Sequence, residues 1–413
     1  MVRLSRPRVP VASLSLALAF AGVSAWILAG ALIPSPYSDA WEWVAGLTAV
    51  ARGGDLWAWL FQPHNGHLLV WTRGLLAADH AFAGGWNGLF LASGVLLLAG
   101  LAWALVAVLR REGASAGAIV LAAMVVGFAP NLMNAAVQIN AQYVQVMVLA
   151  MLALIAQRQT GWRGRVIGVA LGALACLGNA AAVAVWPALT LGAMQRRDWR
   201  GLALVLAVGG PVTGFLLLAQ LQAFGGPPAD GRANLGEIAA YALAYLGLPV
   251  TRVSGVAGLG LGALLAAAGL ALVLISLKSA SRLIRLAGAS AVFALATALL
   301  AAGGRAAIDG GDIPLRYATF VTPLHLALVL AAAQAARHRP WPPPAWPALA
   351  GVLLIGQALA GHAIVEVAAR NRTLIADFEA GRRYPAMIPT VHPDLDHAWR
   401  IRQEAIAAGA LRP

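Results

Sequence analysis

Apolar residues in this chain come in long runs instead of alternating with polar ones. Stretches such as Val11 to Leu32 and Val253 to Leu277 are long enough, as helices, to cross a hydrocarbon layer roughly 30 Å thick. Taking each apolar run between charged gaps predicts crossings over 11–32, 87–109, 114–130, 133–157, 164–179, 180–195, 201–222, 253–277, 284–303, 315–336 and 346–368. The run from Val166 to Met194 is short for two crossings and long for one. Its flanks, 158–165 and 196–200, are both basic, which predicts an excursion that turns back near Gly178 and Asn179. The pattern therefore predicts an all-α polytopic membrane protein with about eleven transmembrane helices. A transmembrane domain would span 1–368, with a first external loop over 33–86 and an external tail over 369–413.

Composition supports this class: 60% of the residues are hydrophobic, 11% are charged and the mean hydropathy is +0.76. Water-soluble domains carry about a quarter charged residues. The formal charge of +13 invites a nucleic-acid reading, but the basic residues do not form a patch. Arg3, Arg6, Arg8, Arg110, Arg111, Arg158, Arg163, Arg165, Arg196, Arg197, Arg200, Lys278, Arg282, Arg285, Arg337 and Arg339 occupy the amino terminus and alternate gaps, accompanied only by Glu112 and Asp198. This is a topology signal that places the amino terminus in the cytoplasm and, after eleven crossings, the carboxyl terminus outside. Nucleic acid is not an expected partner. The basic start and apolar core of residues 1–32 resemble a signal peptide, but the run is long and more spans follow, so an uncleaved anchor is expected. The single Cys176 falls in a predicted span and excludes an internal disulfide.

The gaps on the basic side are short, whereas the other side receives 33–86, 223–252, 303–315 and the tail, so chemistry is expected externally. Within the first loop, Asp39 to Ala51 and Leu68 to Phe82 have the spacing of interfacial helices. Trp41, Trp43, Trp57, Trp59, Trp71 and Trp86 lie where headgroup-level aromatics belong. The proline-rich stretch from Arg337 to Trp346 reads as a stiff connector, and Gly258, Gly260, Gly262 and Gly269 as sites of close helix packing.

Four polar clusters stand out. Asp39 and Glu42, three residues apart just after the first span, are either a helix-capping pair or a base or metal ligand at the membrane surface. His64, Asn65 and His67 sit in a segment made loop-like by Pro63 and Gly66, where two imidazoles are candidates for a divalent metal or a phosphate. Arg73, shortly after, pairs with an anion or snorkels. Asn131, Asn134, Gln138, Gln142 and Gln145 recur at helical spacing and predict an amide-lined face turned to a polar cavity that Asn179 approaches. Entering the tenth span, Arg316 and Tyr317 offer a guanidinium suited to phosphate, with pairing to Asp309 or Asp312 as the structural alternative. His325, deeper in that span, reads as a core histidine. The tail, from Asn371 on, is expected either to pack over the first loop or to be a solvated segment.

Ser38-Asp39-Ala40-Trp41, the His64-Asn65-x-His67 loop, the Asn131 to Gln142 region, Gly178-Asn179 with Trp186-Pro187, and Arg316-Tyr317 together resemble the GT-C class of integral-membrane glycosyltransferases, in a bacterial branch. The resemblance runs along most of the chain. It implies transfer of a sugar from a polyprenyl-phosphate donor to a glycan or glycolipid acceptor at the external face of the bacterial inner membrane, with inversion. It further implies Asp39 as the catalytic base and Arg316, with Tyr317 and Arg73, at the donor phosphate. Asn134, Gln138, Gln142 and Asn179 would read sugar hydroxyls, while Glu42, His64 and His67 would meet a divalent metal or the phosphate. The acidic doublet of the protein mannosyltransferase branch is absent, which bears on metal dependence and acceptor class. The alternatives are a transporter or flippase of lipid-linked sugars, and a noncatalytic envelope-assembly subunit in which Asp39 only caps a helix.

Overall fold

A computed structural model of the chain describes residues 11–64, 66–159, 161–224, 233–309, 312–338 and 345–411. Asn65, the prolines at 340 and 342–344 and the middle of the 223–252 segment lie outside the described residues. Among the described residues the protein is helical, the one extended feature being a bridge between His64 and His67.

The chain enters with α1 (Val11–Ala31) and passes into the short helices α2 (Ala40–Ala51), α3 (Leu56–Phe61) and α4 (Val70–Ala78). It continues through α5 (Gly88–Arg111), α6 (Ala116–Val126), α7 (Ala129–Ala136), α8 (Ala141–Gln157), α9 (Trp162–Cys176) and α10 (Val185–Gln195). The second half comprises α11 (Trp199–Phe224), α12 (Leu235–Leu246), α13 (Gly255–Lys278), α14 (Arg282–Asp309), α15 (Thr322–His338), α16 (Ala345–Glu379) and α17 (Leu395–Ala407).

Eight helices are long and apolar enough to cross a membrane, or nine if α6 and α7, bent by 42° at their junction, count as one span. The protein is thus a multi-pass membrane protein, but the expected count of eleven is not reproduced. Helix α9 has 15 residues and α10 has 11, so at 1.5 Å per residue each falls short of a roughly 30 Å hydrocarbon layer. The expected division into spans at 114–130 and 133–157 also shifts. Val137 adopts an extended conformation between α7 and a 3-10 turn at Gln138–Asn140, so the polar segment is a broken helix.

Two apolar cores divide the molecule. The larger fills the bundle, with Leu101, Leu105, Met147, Phe293 and Phe320 among its fully buried members. Close approach is obligatory where α12 meets α13, since a Cβ on Gly262 would lie 1.8 Å from the Leu243 carbonyl oxygen, whereas Gly260 has nothing within 4 Å. The smaller core joins the first loop to the tail through Trp41, Trp43, Trp59, Leu76, Phe378 and Met387. Here the sequence expectation is corrected. Trp41 and Trp43 are each 1% exposed: Phe378 of α16 meets the Trp41 ring at 5.6 Å, with Trp399 of α17 against Phe378 at 5.5 Å, and both indoles belong to this core. Trp57, Trp71 and Trp86 do stay exposed.

Asp79 fixes the junction between loop and bundle. Its buried carboxylate accepts from the Asn87 and Leu89 amides at 2.8 and 2.7 Å, which satisfies free donors at the start of α5. Asn87 in turn donates to the Ile33 carbonyl at 2.7 Å, tying the end of α1 to the same point.

Candidate functional site

The segment joining α1 to α2 is held by the tail. The Ser38 amide donates to the Thr390 and Val391 carbonyls at 3.0 and 2.7 Å, and Ser38 adopts φ +52°, a left-handed conformation that costs a non-glycine residue about 1–2 kcal/mol. Ser35 donates to Glu379 at 2.6 Å and Arg372 to the Leu32 carbonyl at 3.0 Å, so both ends of the segment are pinned. The turn delivers Asp39 to the N-cap position of α2. No side-chain capping bond forms there. The Asp39 carboxylate is instead 3.8 Å from His64 Nε2, and its side chain is 44% exposed.

His64 is placed by a tight reversal. His64 and His67 exchange both backbone hydrogen bonds at 2.9 Å, and Gly66 at φ +73° supplies the left-handed residue such a turn needs. Trp43 meets the His64 ring edge-on at 5.9 Å. His67 points elsewhere, its Nδ1 accepting from the Ala180 amide at 3.4 Å. Burial, with His64 and Arg305 adding to it, pushes the His67 imidazole down to about 4, so it is neutral at physiological pH. The attraction of His64 holds the Asp39 carboxyl below the usual carboxylate range, outweighing the opposite pull of burial, and the Arg316 and His392 charges act in the same direction.

Arg316 enters on the turn preceding α15. Its Nε donates to the Tyr143 hydroxyl at 3.2 Å and its guanidinium lies 5.6 Å from the Tyr317 ring. The structural alternative for it does not occur: Asp309 binds Arg305 at 2.7 Å and the Tyr241 hydroxyl at 2.7 Å, while Asp312 binds Arg252. Among the described residues no carboxylate lies within 4 Å of Arg316. Tyr37, beside Asp39 in sequence, has its phenol pushed up by burial, and Arg316 opposes that shift. Asp39 and Tyr37 therefore both lie within the electrostatic reach of the same guanidinium.

The amides do not form one helical face, because the break at Val137 divides them between α7 and α8. All five are buried. Asn131 exchanges bonds with Thr322, and Asn134 donates to the Arg316 carbonyl at 2.7 Å and to Thr319 at 2.8 Å, so Asn134 positions the Arg316 turn. Asn179 donates to Gln142 Oε1 at 2.8 Å while capping the Ala181 amide, and Gln145 donates weakly to Leu174 at 3.4 Å. Gln138 differs. It is 1% exposed, and neither its oxygen nor its nitrogen has a hydrogen-bond partner.

Two candidates go to other surroundings. Arg73 is buried, and its Nη1 donates to the Trp59 carbonyl at 2.7 Å and to the Gln62 carbonyl, so it braces the loop ahead of His64 instead of presenting its fork to an anion. Burial lowers its guanidinium to about 10. Glu42 does not join His64 and His67. Its Oε1 is 3.0 Å from His397 Nε2 and 3.3 Å from His392 Nε2, both in the tail. The sequence gives no local sign of these two histidines, which reach Glu42 only through the docking of α17. His392 Nδ1 lies 2.8 Å from the Asp394 carbonyl oxygen and 3.0 Å from the Asp394 amide, which fixes the orientation of the ring and turns Nε2 toward Glu42. Among the described residues no group of three or more His, Cys, Asp or Glu side chains is disposed to hold a metal ion.

Beside this geometry the comparisons add nothing: no family model matches the sequence, and neither a curated protein nor a solved structure matches it.

Proposed function

We propose that the protein is a membrane glycosyltransferase of GT-C type. It would take a sugar from a polyprenyl-phosphate donor and pass it to a glycan or glycolipid acceptor at the external face of the bacterial inner membrane, with the amino terminus in the cytoplasm. The observation that carries this reading is the Asp39 carboxylate, which sits at a helix N-cap without capping it, is partly open to solvent and lies within reach of the Arg316 charge.

In the proposed step an acceptor hydroxyl oxygen bonds to the anomeric carbon of the sugar while its proton passes to Asp39. The bond between that carbon and the donor phosphate breaks on the opposite side, and its electron pair leaves on the phosphate oxygen. Arg316 stabilises the growing negative charge, and it is suited to this because no carboxylate near it already neutralises it. Held ionised by His64, Asp39 is ready to accept a proton at neutral pH. Gln138, with both amide atoms unpartnered, would have its full bonding capacity for a sugar hydroxyl, and Gln142 and Asn179, which bond to each other, would be the further candidates. No step is assigned to a divalent metal.

One observation favours movement of a lipid-linked sugar instead: buried amides occur at both ends of α8, Gln142 and Gln145 near its start and Gln157 as its last residue. Transfer of labelled sugar from a panel of polyprenyl-phosphate sugars, in membranes holding wild type or Asp39→Asn, separates the readings. Transfer by wild type that Asp39→Asn abolishes supports the enzyme. Passage of labelled lipid across the bilayer without any transfer supports the transporter. Intact cellular function in Asp39→Asn supports the noncatalytic assembly subunit.

A further inference from the structure

At the end of the bundle opposite Asp39, helices α8, α10 and α14 enclose a cavity of about 170 Å³. That is far above the roughly 10–15 Å³ that admits one water. Its polar lining is Arg158, Arg196, Arg282, Arg285, Gln157 and Gln195, with no carboxylate among the lining residues. The nearest acids lie outside it and are shared. Glu112 meets Arg158 at 3.1 Å and Arg337 at 3.9 Å, while Asp198 meets Arg165 at 2.8 Å and Arg196 at 3.9 Å. Neither Arg282 nor Arg285 has a carboxylate within 4 Å among the described residues, and Arg285 Nε donates to the Ser279 carbonyl at 2.7 Å.

Donors in this cavity are left over. Arg158 Nε is buried without a hydrogen-bond partner on a side chain only 17% exposed, and Arg196 Nη2 has no hydrogen bond beyond its 3.9 Å ion pair with Asp198. Gln157 and Gln195 are oriented by their own bonds, to the Leu189 carbonyl and the Ser276 hydroxyl, both at 2.8 Å. Crowding four guanidiniums around a recess is unfavourable by mutual repulsion and desolvation unless an anion shares the space. Planar forks converging from three helices match the tetrahedral oxygens of a phosphate better than those of a flat carboxylate. A basic recess between membrane helices at headgroup depth is also the geometry that captures acidic lipid heads.

From this we infer that the arginine cavity is a binding site for a phosphate group, carried either by an acidic phospholipid headgroup or by a soluble phosphate. The site is separate from Asp39 and does not depend on the proposed transfer reaction.

The test uses the full chain, purified in detergent, with thermal unfolding and native mass spectrometry as readouts. Inorganic phosphate is titrated in detergent in one arm. In the other the protein is reconstituted in phosphatidylcholine nanodiscs with or without phosphatidylglycerol. Wild type is expected to show saturable stabilisation in at least one arm: a response to inorganic phosphate assigns a soluble ligand, and a response only to phosphatidylglycerol, with retained lipid in the mass spectrum, assigns the headgroup. The double variant Arg282→Gln, Arg285→Gln is expected to weaken that binding by about tenfold or more. If it does not fold, Arg282→Lys with Arg285→Lys keeps the charges but loses the forks, and should still weaken binding several-fold. No response in either arm, or undiminished binding in a folded variant, overturns the assignment.

Discussion

The two ends of the helix bundle use the same charged side chains in opposite ways. At the Asp39 end, acids and bases from distant parts of the sequence are matched almost one to one: Asp309 with Arg305, Asp312 with Arg252, Glu42 with His392 and His397, Glu404 with Arg52. Against that matched background Asp39, paired with His64 at 3.8 Å, stays partly exposed, and Arg316 has no carboxylate within 4 Å among the described residues. At the other end four arginines share Glu112 and Asp198, and Arg282 and Arg285, without a carboxylate within 4 Å among the described residues, join two of them in one cavity. The difference teaches that charge number alone does not mark a site. A site for proton transfer is an exception within a neutralised region, whereas a site for an anion is a local failure of neutralisation.

The comparison breaks most decisively at Asp39. On the proposed reading Asp39→Asn lowers sugar transfer by about 10²–10⁴-fold, the range of general-base catalysis. Because the carboxylate makes no capping bond, the unfolding midpoint of this variant should stay near that of wild type, and a large drop would return Asp39 to a structural role. Next in size is Arg316→Ala, expected to lower the turnover number by roughly 10²–10³-fold, as for removal of one preorganised charge-stabilising donor. An equal loss on Arg285→Ala, at the far end, would mean that the two ends act together.

The third prediction concerns pH. Since His64 depresses the Asp39 carboxyl in the folded protein, activity that needs the ionised carboxylate persists as pH falls until the depressed pKa is crossed. His64→Ala removes that attraction, so the acid limb of the rate profile should move to higher pH, and an unmoved limb would sever the pair. The smallest effect is expected for Glu42→Gln, which loosens the contact between α2 and the tail histidines. These side chains are partly exposed, so the cost is about 0–1 kcal/mol, to be read as faster amide exchange confined to the tail.

Much of the bundle could be read from the sequence, because hydropathy along the chain is a local property that membrane insertion obeys directly. The long helices near 11–32, 87–109, 253–277 and 315–336 appear close to their expected limits. What failed was decided by contacts between distant segments. The fracture at Val137 follows no local breaker, as glycine and proline are absent from the residues around it. Trp41 reads as interfacial until Phe378, backed by Trp399, is brought against it, and Trp43 until His64 meets its ring. Arg73 carried the right chemistry for an anion, but the carbonyls of Trp59 and Gln62 claim it, and such carbonyls leave no mark in a residue pattern. For the same reason two short motifs do not fix the approach of His64 to Asp39, and an expected packing of the tail over the first loop does not say that His392 and His397 meet Glu42.

The hold of Thr390 and Val391 on Ser38 also sets an order of events during synthesis. Ribosomes deliver a chain from its amino end, so Asp39 is made early and its neighbour Glu42 waits for a histidine 355 residues further on. A polypeptide interrupted before Thr390 already possesses every long apolar helix, yet lacks the carbonyls that shape the turn carrying Asp39. Assembly of the helices and completion of the Asp39 end are therefore successive, and the arrival of Thr390 and Val391 decides when that end takes its shape.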